Sequence, residues 1–378
     1  MDKYSDYIVV GGGASGCALT HKILKSKKSV TLIEAGYSNY NFLLDVPAGF
    51  FKLVNNSKYA TYHKTNSQKH LQGRINIIPQ GNVLGGGTSI NAQVYMRGRA
   101  EDYNEWDDIL RVNNDSIKWD WDTLLPYFKE MENNSRLENE YHGKNGNLNV
   151  SDSPYVDQLS YDFIESVASL GVKITDDFNG ENQKGVGLYQ FMNQKGKRSS
   201  AAYAFVEPQK NNPLLKLMLE TKVKKIIIEN NKAIGVIVEN SFGKEEKIFA
   251  NKEIILSSGS FITPKILMLS GIGDEEELDN FSIKCKSNLP GVGKNLMDHP
   301  ECPLIAKANG KFGYYKQGEG WRMIKNGLEF LLFGTGRVNS TGVEAGAFVN
   351  PIDKEDLAYI QAFFVPSIYM NSDTIGVI

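Results

Sequence analysis

The sequence predicts an α/β fold, α+β in overall content, in which one parallel-stranded domain is interrupted by a second, discontinuous one. Three observations carry this. The apolar run Tyr7–Val10 leads directly into Gly11, Gly13 and Gly16 and a helical stretch from Ser15 to about Lys25. Ser29–Ile33 forms a second strand that stops at Glu34. Strand, turn, helix and strand within about 30 residues make a βαβ unit with parallel strands. A second glycine-rich strand–turn–helix signal returns near residues 254–273, as expected where the first domain resumes after an insertion.

The remaining elements follow in chain order. From about Asn39 to Gln80 the chain is rich in Asn, Lys and Tyr and shows no periodicity, so it reads as irregular. Trp106–Asn133 reads as helical, with Leu124, Leu125 and Phe128 on one face and Pro126 near the first turn. Leu148–Val150 is a short strand, and Val156–Leu170 an amphipathic helix stopped by Gly171, since glycine takes the left-handed position after a helix. Val223–Glu229 and Ala233–Glu239 flank the turn-prone Asn230–Lys232 and predict a hairpin. Glu253–Leu256 is a buried strand that runs into Ser257–Gly259 and a helix from about Pro264 to Leu269.

A chain of 378 residues builds one large or two ordinary domains. Its net charge of −2, from 42 basic and 44 acidic residues, gives no electrostatic reason to expect nucleic acid or an anionic membrane as partner. Cys17, Cys285 and Cys302 show no CxxC spacing and read as buried, reduced thiols. His21, His63, His70, His142 and His299 show no paired ligand spacing, so no metal is expected. No apolar run reaches the roughly 18–20 residues that cross a bilayer, and MDKYSDYIVV goes straight into a strand without a leader pattern. The expected location is cytoplasmic, with peripheral membrane contact left open.

Gly11, Gly13 and Gly16 stand in GxGxxG spacing, where the three glycines allow, in order, the tight turn, close approach to a pyrophosphate, and close helix–strand packing. Ala14 and Ser15 open the helix, whose free N–H groups and positive dipole end suit phosphate. Glu34, followed by Ala35, stands about 20 residues on, where a carboxylate accepts from ribose hydroxyls. The domain is therefore Rossmann-like and binds the ADP half of a dinucleotide. Spacing alone does not separate FAD from NAD; an acid at position 34 argues only against a 2′-phosphate.

A second motif spans Gly81 to Asn104. Its consecutive glycines, Gly85, Gly86 and Gly87, let backbone approach a planar or phosphate-bearing ligand. Asn91 and the small Ala92 permit contact with the edge of a flavin ring. In this motif the sequence resembles the glucose-methanol-choline family of FAD-dependent oxidoreductases. The family's first signature is matched from Gly81 through Leu84, Gly85, Gly86 and Asn91 to Gly98, and its second from Gly259 to Gly273. Leu289–Pro300 looks like a third landmark. Lesser ones are Leu125–Phe128, Tyr141–Gly143 and Ser199–Ala202, and the likeness runs from Asp6 to about Pro366.

The resemblance implies FAD lying along Gly81, Val83, Leu84, Gly85, Gly86, Asn91, Ala92, Gln93 and Val94, the last few near the isoalloxazine, with Gly259 also at the cofactor. It implies that the backbone at Val223 meets the adenine. Some members attach flavin through a histidine just before the asparagine; Ile90 stands there, so FAD is expected to be non-covalent. On this likeness residues 1–150 and 201–300 form the FAD-binding domain, and 151–200 and 301–378 a discontinuous substrate-binding domain.

The implied activity is oxidation of a primary alcohol to the aldehyde, by hydride transfer to flavin N5, with oxygen or a quinone-linked carrier as electron acceptor. Choline is the favoured substrate because Glu301 matches a glutamate that faces the trimethylammonium group in choline-oxidising members. A quaternary ammonium has no N–H donor and is held by a carboxylate and aromatic faces. Tyr314, Tyr315, Trp321, Phe363 and Phe364 are candidates for those faces, and other aromatic or aliphatic alcohols are the alternative. Segments Phe330–Gly336 and Glu344–Phe348 also look choline dehydrogenase-like, and His299 is expected to be a satisfied structural histidine. No histidine stands in a matching catalytic motif, so catalytic residues are expected beyond Ile378 and the chain is expected to be a fragment, inactive alone. A reading from another class is a non-catalytic flavin-binding module.

Overall fold

The structure, a computed structural model, describes residues 4–112, 117–306, 308–353, 357–367, 369–370 and 376–377. The chain forms two compact units. The first comprises residues 1–41, 53–91 and 200–302, and the second 42–52, 92–199 and 303–378.

The first unit is built on a six-stranded sheet. In chain order its elements are β1 (Tyr4–Val10), α1 (Ala14–Lys25), β2 (Val30–Ile33), β3 (Leu215–Met218), β4 (Thr221–Glu229), β5 (Lys232–Asn240), β6 (Glu245–Leu256) and α2 (Gly259–Leu269). The strand order is β3–β2–β1–β6–β5–β4. β1 pairs in parallel with both β2 and β6, and β2 in parallel with β3. β4, β5 and β6 form an antiparallel meander. Ile8, Val9 and Val10 are all buried, as are the four residues of β2, which is why these strands read as continuous apolar runs. Ile8, Val10, Ile33, Ile226, Val236, Val238 and Ile248 form one core with Ile266 of α2.

Three local expectations change here. The stretch that read as irregular contains an antiparallel pair, Ala60–Lys64 with Ile77–Gly81; its long connection and mixed composition hide the period-2 pattern. Cys17 is buried, but Cys285 is only half-buried and Cys302 exposed. His299 is exposed as well.

The second unit holds an antiparallel sheet in which Ala345–Val349 lies between Gly185–Leu188 and Ile360–Phe364. The helix Gln158–Ser169 packs on it through Ile164, Val186, Ala345 and Ala347, and Phe163 stacks on Phe364 at 5.0 Å. That helix starts where Asp157 accepts the Leu159 N–H and stops before Gly171 at φ +87°. A Cβ on Gly346 would lie 1.8 Å from the Tyr189 hydroxyl oxygen, so the central strand needs glycine there. The expected helix over Trp106–Asn133 is two helices, Ala100–Val112 and Trp121–Met131. Asp120 caps the latter by accepting the Thr123 N–H at 2.9 Å. Pro126 is its sixth residue, past the first turn, and removes one main-chain hydrogen bond.

The unit boundary falls between Asn91 and Ala92, where the sequence reading carried the first domain to residue 150. The reason is strand pairing. Val94 bridges to Phe191 and the Tyr95 N–H donates to Gln190 O at 2.8 Å. Glu132–Asn134 pairs with Leu148–Asp152, which pairs in turn with Gln190–Phe191. No helix among the described residues is long and apolar enough to cross a membrane.

Candidate functional site

The carboxyl ends of β1, β2 and β6 meet at one edge of the first unit, the position where open α/β sheets hold ligands. The β1 turn is packed tightly enough to exclude side chains. Gly11 sits at φ +100°, and a Cβ there would lie 2.6 Å from Ser257 O. A Cβ on Gly16 would fall 1.9 Å from Gly11 O, so this glycine brings α1 against the turn. Gly13 differs: its nearest Cβ contact is 3.9 Å away, which leaves room for a ligand to approach the backbone.

Gly13 precedes α1 without a side-chain cap, and no acid stands in the first turn. Ala14 and Ser15 are exposed. The amides of that turn and the positive end of the helix dipole are thus presented to solvent uncompensated, an arrangement that suits a pyrophosphate.

Glu34 follows β2 and is buried. Its Oε2 accepts the Gly12 N–H at 2.7 Å and its Oε1 the Gly36 N–H at 2.8 Å. Burial pushes its carboxyl above the usual range, and the N–H groups of Gly36, Gly12 and Ala35 partly offset this. Each oxygen keeps acceptor capacity for a ribose hydroxyl. Ala35 is exposed beside it. The Thr221 N–H donates to Glu34 O and the Glu220 N–H to Gly36 O, both at 3.0 Å. This sets the start of β4, and half-buried Val223 within it, next to the ribose-side turn.

The second glycine motif docks on the first. The Gly85 N–H donates to Gly12 O at 2.7 Å. Gly85 and Gly86 have φ of +92° and +54°, and a Cβ on Gly86 would lie 2.9 Å from Gly13 Cα. A Cβ on Gly81 would meet Gly86 C at 2.4 Å. Val83 and Leu84 are buried, and a Cβ on Gly12 would meet Leu84 Cδ1 at 2.8 Å. Asn91 is half-buried and its N–H donates to Gly87 O at 2.8 Å.

Sequence reasoning missed Gly12, an unspecified position of the fingerprint whose N–H and C=O both hold the site together. It also missed Ser257, whose Oγ donates to Gly11 O at 2.9 Å, and Ser258, whose Oγ donates to Val10 O at 3.0 Å. Cys17 donates its thiol to Gly12 O, and burial pushes its pKa up to about 12. Gly259 closes this side at φ +81°; a Cβ there would lie 2.7 Å from Nε2 of Gln80, whose Oε1 is 2.9 Å from His63 Nε2.

Ala92, Gln93 and Val94 belong to the second unit. Gln93 is buried at φ +63°, its carbonyl accepting the Met192 N–H at 2.8 Å and its Oε1 the Asn193 Nδ2–H at 3.2 Å. Glu301 is exposed and lies in neither helix nor strand. The five candidate aromatic residues do not form one cage. The Tyr314 hydroxyl donates to Glu344, Phe364 stacks on Phe163, and Phe363 lies 5.8 Å from Tyr189. Trp321 and Tyr315 are exposed. Ile378 lies outside the described residues, and among those described no group of acids, histidines and cysteines is placed to hold a metal.

A sequence profile described as GMC oxidoreductase matches residues 5–301. The alcohol dehydrogenase (acceptor) of Pseudomonas putida is 35% identical over 369 residues, covering 96% of this chain and 65% of its own length. Human mitochondrial choline dehydrogenase is 34% identical over 375 residues, covering 97% of this chain and 62% of its own. An Aspergillus oryzae formate oxidase variant, studied for its FAD modification, superposes with a TM-score of 0.85 at 26% identity, covering 96% of this chain and 68% of its own. This chain thus spans about 65% of the length of the curated relatives it matches.

Proposed function

Because this chain belongs to the GMC oxidoreductase family, we propose that its paired glycine turns hold FAD without a covalent bond and that it serves the oxidation of a primary alcohol. The observation that carries this is the docking of Gly85 on Gly12, which joins two glycine turns beside an uncapped helix N-terminus. The residues present fit the ADP half of FAD. Gly13 would have no contact closer than 3.9 Å where a Cβ would stand, Ala14 and Ser15 offer amides to a pyrophosphate, and Glu34 has acceptor capacity for ribose. Ile90 is buried and aliphatic, so it supplies no atom for a covalent link to the ring.

When bound, FAD supplies the hydride acceptor for the alcohol carbon. The chain's own contribution is to bind and orient. The Gly12, Gly13 and Gly86 backbone excludes side chains from the cofactor's path, and the first turn of α1 neutralises phosphate charge. The backbone from Asn91 to Val94 faces the ring in this reading.

Choline is the proposed substrate, supported by the names of relatives such as the Sinorhizobium fredii oxygen-dependent choline dehydrogenase, 34% identical over 363 residues. An exposed carboxylate at Glu301 supplies charge for a quaternary ammonium. The electron acceptor is oxygen or a quinone-linked carrier.

The test begins with FAD titrated into apoprotein, with NAD as control. Tight FAD binding without NAD binding is expected, and no flavin binding overturns the proposal. Anaerobic flavin bleaching by choline and by neutral alcohols then decides the substrate. Glu301→Gln should raise the apparent KM for choline far more than for a neutral alcohol, and equal effects remove the ammonium role.

A further inference from the structure

We propose that the helix Gly320–Phe333 is a docking surface for an anionic phospholipid bilayer, on which it lies flat with Trp321, Ile324, Leu328, Leu331 and Leu332 in the lipid boundary. The proposal is independent of the cofactor reading. The first observation is the stripe itself. At 3.6 residues per turn these five side chains fall within about 100° of the helix circumference. They are between 51% and 70% exposed. Single exposed apolar residues are ordinary, as Phe242 is in the turn between β5 and β6. Five adjacent ones on one face mark a surface that meets something apolar.

The second observation is that the helix is already anchored on its other side. Asn326 is buried and donates its Nδ2–H to Gln317 O at 3.0 Å, and the Phe330 ring meets Phe42 edge-on at 6.2 Å. Gly334 closes the helix at φ +64°. The exposed stripe is therefore the outer face of a helix that the second unit holds in place. Its 14 residues span about 21 Å, short of the roughly 30 Å of a bilayer's hydrocarbon. The helix can lie on such a surface but not cross it.

The third observation is charge, and it selects the occupant. Residues 308–337 carry five lysines and arginines against two glutamates, in a chain whose totals are 42 and 44. Lys325 borders the apolar stripe and is exposed, and Lys311 and Lys316 are exposed in the segment leading to the helix. A second copy would set these positive charges against their own kind. An anionic lipid surface takes both features at once: the apolar side chains enter the acyl boundary while the lysines meet phosphate headgroups. Trp321, in the first turn, has the ring and N–H that favour that boundary. The near-neutral balance of the whole chain conceals this local excess.

The experiment uses the whole chain with phosphatidylcholine vesicles, with and without phosphatidylglycerol. Binding to the phosphatidylglycerol vesicles is expected, weakening as salt rises, with a blue shift of tryptophan emission that Trp321→Phe removes. Ile324→Glu and Leu331→Glu should each lower partitioning at least about tenfold. Both positions are exposed, so the urea midpoint should not change. Lys325→Gln should lower partitioning about fivefold, on phosphatidylglycerol vesicles only. Phe242→Glu should leave it unchanged. No vesicle binding, equal binding to both vesicle types, or an equal loss in Phe242→Glu overturns the proposal. Two further outcomes overturn it by naming another occupant. Dimers that Leu331→Glu dissolves, without vesicle binding, assign the face to a second copy. Vesicle binding that disappears when the unmatched part of a longer relative is added assigns it to that segment.

Discussion

The N–H of Gly85 donates to the carbonyl of Gly12 at 2.7 Å, so a motif more than seventy residues downstream is fastened to the middle of the first glycine turn. The pairing is possible because neither residue carries a Cβ: one on Gly85 would lie 2.3 Å from Ser89 Oγ, and one on Gly12 2.8 Å from Leu84 Cδ1. Two sequence signals that each specify only a turn become a single surface with room left above Gly13.

Gly16→Ala and Gly13→Ala should therefore separate folding from binding. At position 16 the added methyl meets a backbone carbonyl at 1.9 Å, which cannot move without opening the turn. We expect it to lower stability by about 2–4 kcal/mol in urea unfolding. At position 13 the nearest atom is 3.9 Å away, so stability should change by less than about 1 kcal/mol. The methyl there stands where a pyrophosphate approaches, and FAD affinity should fall at least about tenfold. Equal stability losses in the two variants would contradict the assignment.

Glu34→Gln tests the carboxylate that joins the turns after β1 and β2. Its two oxygens accept from Gly12 and Gly36, and a carboxamide serves only one of them. The other buried N–H then faces an NH₂ group, a loss of about 1–3 kcal/mol. The pH dependence has a definite sign. Burial raises the folded pKa above the ordinary glutamate value of 4.5, so the group's favourable contribution is fully present below that value. It is lost as pH rises through the folded pKa. Glu34→Gln should flatten that part of the stability–pH profile, measured by urea midpoints, while lowering the whole curve.

How much was legible follows from which forces leave a local trace. β1, α1 and β2 were readable because parallel strands buried on both faces give unbroken apolar runs, and because glycine spacing marks the turn between them. The Ala60–Lys64 pairing with Ile77–Gly81 was not, since its partners are joined by a long connection of mixed composition that hides their period-2 pattern. The boundary at Asn91 was missed for a related reason. What assigns residues 92–150 to the second unit is pairing with Gln190–Phe191, about a hundred residues from where that segment begins. At the site, the roles of Gly81 and Gly86 came from the family likeness, while Gly12 and Ser257 act through hydrogen bonds to main-chain atoms that no side-chain pattern announces. The aromatic residues grouped around a choline reading were grouped by composition alone, and packing sends them to different neighbours.

His142 should govern the alkaline side of stability in the second unit. Its Nδ1 lies 2.8 Å from Glu132 and its Nε2 3.0 Å from Asp177, with the ring fully buried. Arg97 adds a buried ion pair to Glu132 at 2.7 Å. Burial alone lowers the imidazole pKa, but the hydrogen bonds to Asp177 and Glu132 outweigh it and raise the value above 6.5. The stabilising contribution is full below that value and disappears as pH rises through the folded pKa. Both carboxyls move the other way: burial opposes it, yet their bonds to His142 hold them below their ordinary range, so their contribution disappears in acid. His142→Ala should destabilise by about 3–5 kcal/mol near neutrality and abolish the alkaline decline in the urea midpoint. An unchanged decline would place its origin elsewhere.

The three thiols should react in the order set by exposure and by thiolate supply. Cys302 is exposed and Cys285 half-buried, whereas Cys17 is enclosed behind the glycine turn with its thiol donating to Gly12 O. Burial first, and the nearby Glu34 carboxylate in the same direction, push the Cys17 pKa up to about 12; the backbone N–H of Gly85 only partly offsets them. Only the thiolate attacks an electrophile, so near pH 8, well below that value, Cys17 has neither access nor nucleophile. A maleimide time course read by intact mass should show one fast label, a slower second, and the third only in denaturant. The same site gives a sharper comparison. Gly16→Ala, which opens the turn, should bring Cys17 into reach without denaturant, whereas Gly13→Ala should not. Rapid triple labelling of the native wild-type chain would mean that the turn over Cys17 is not closed in solution.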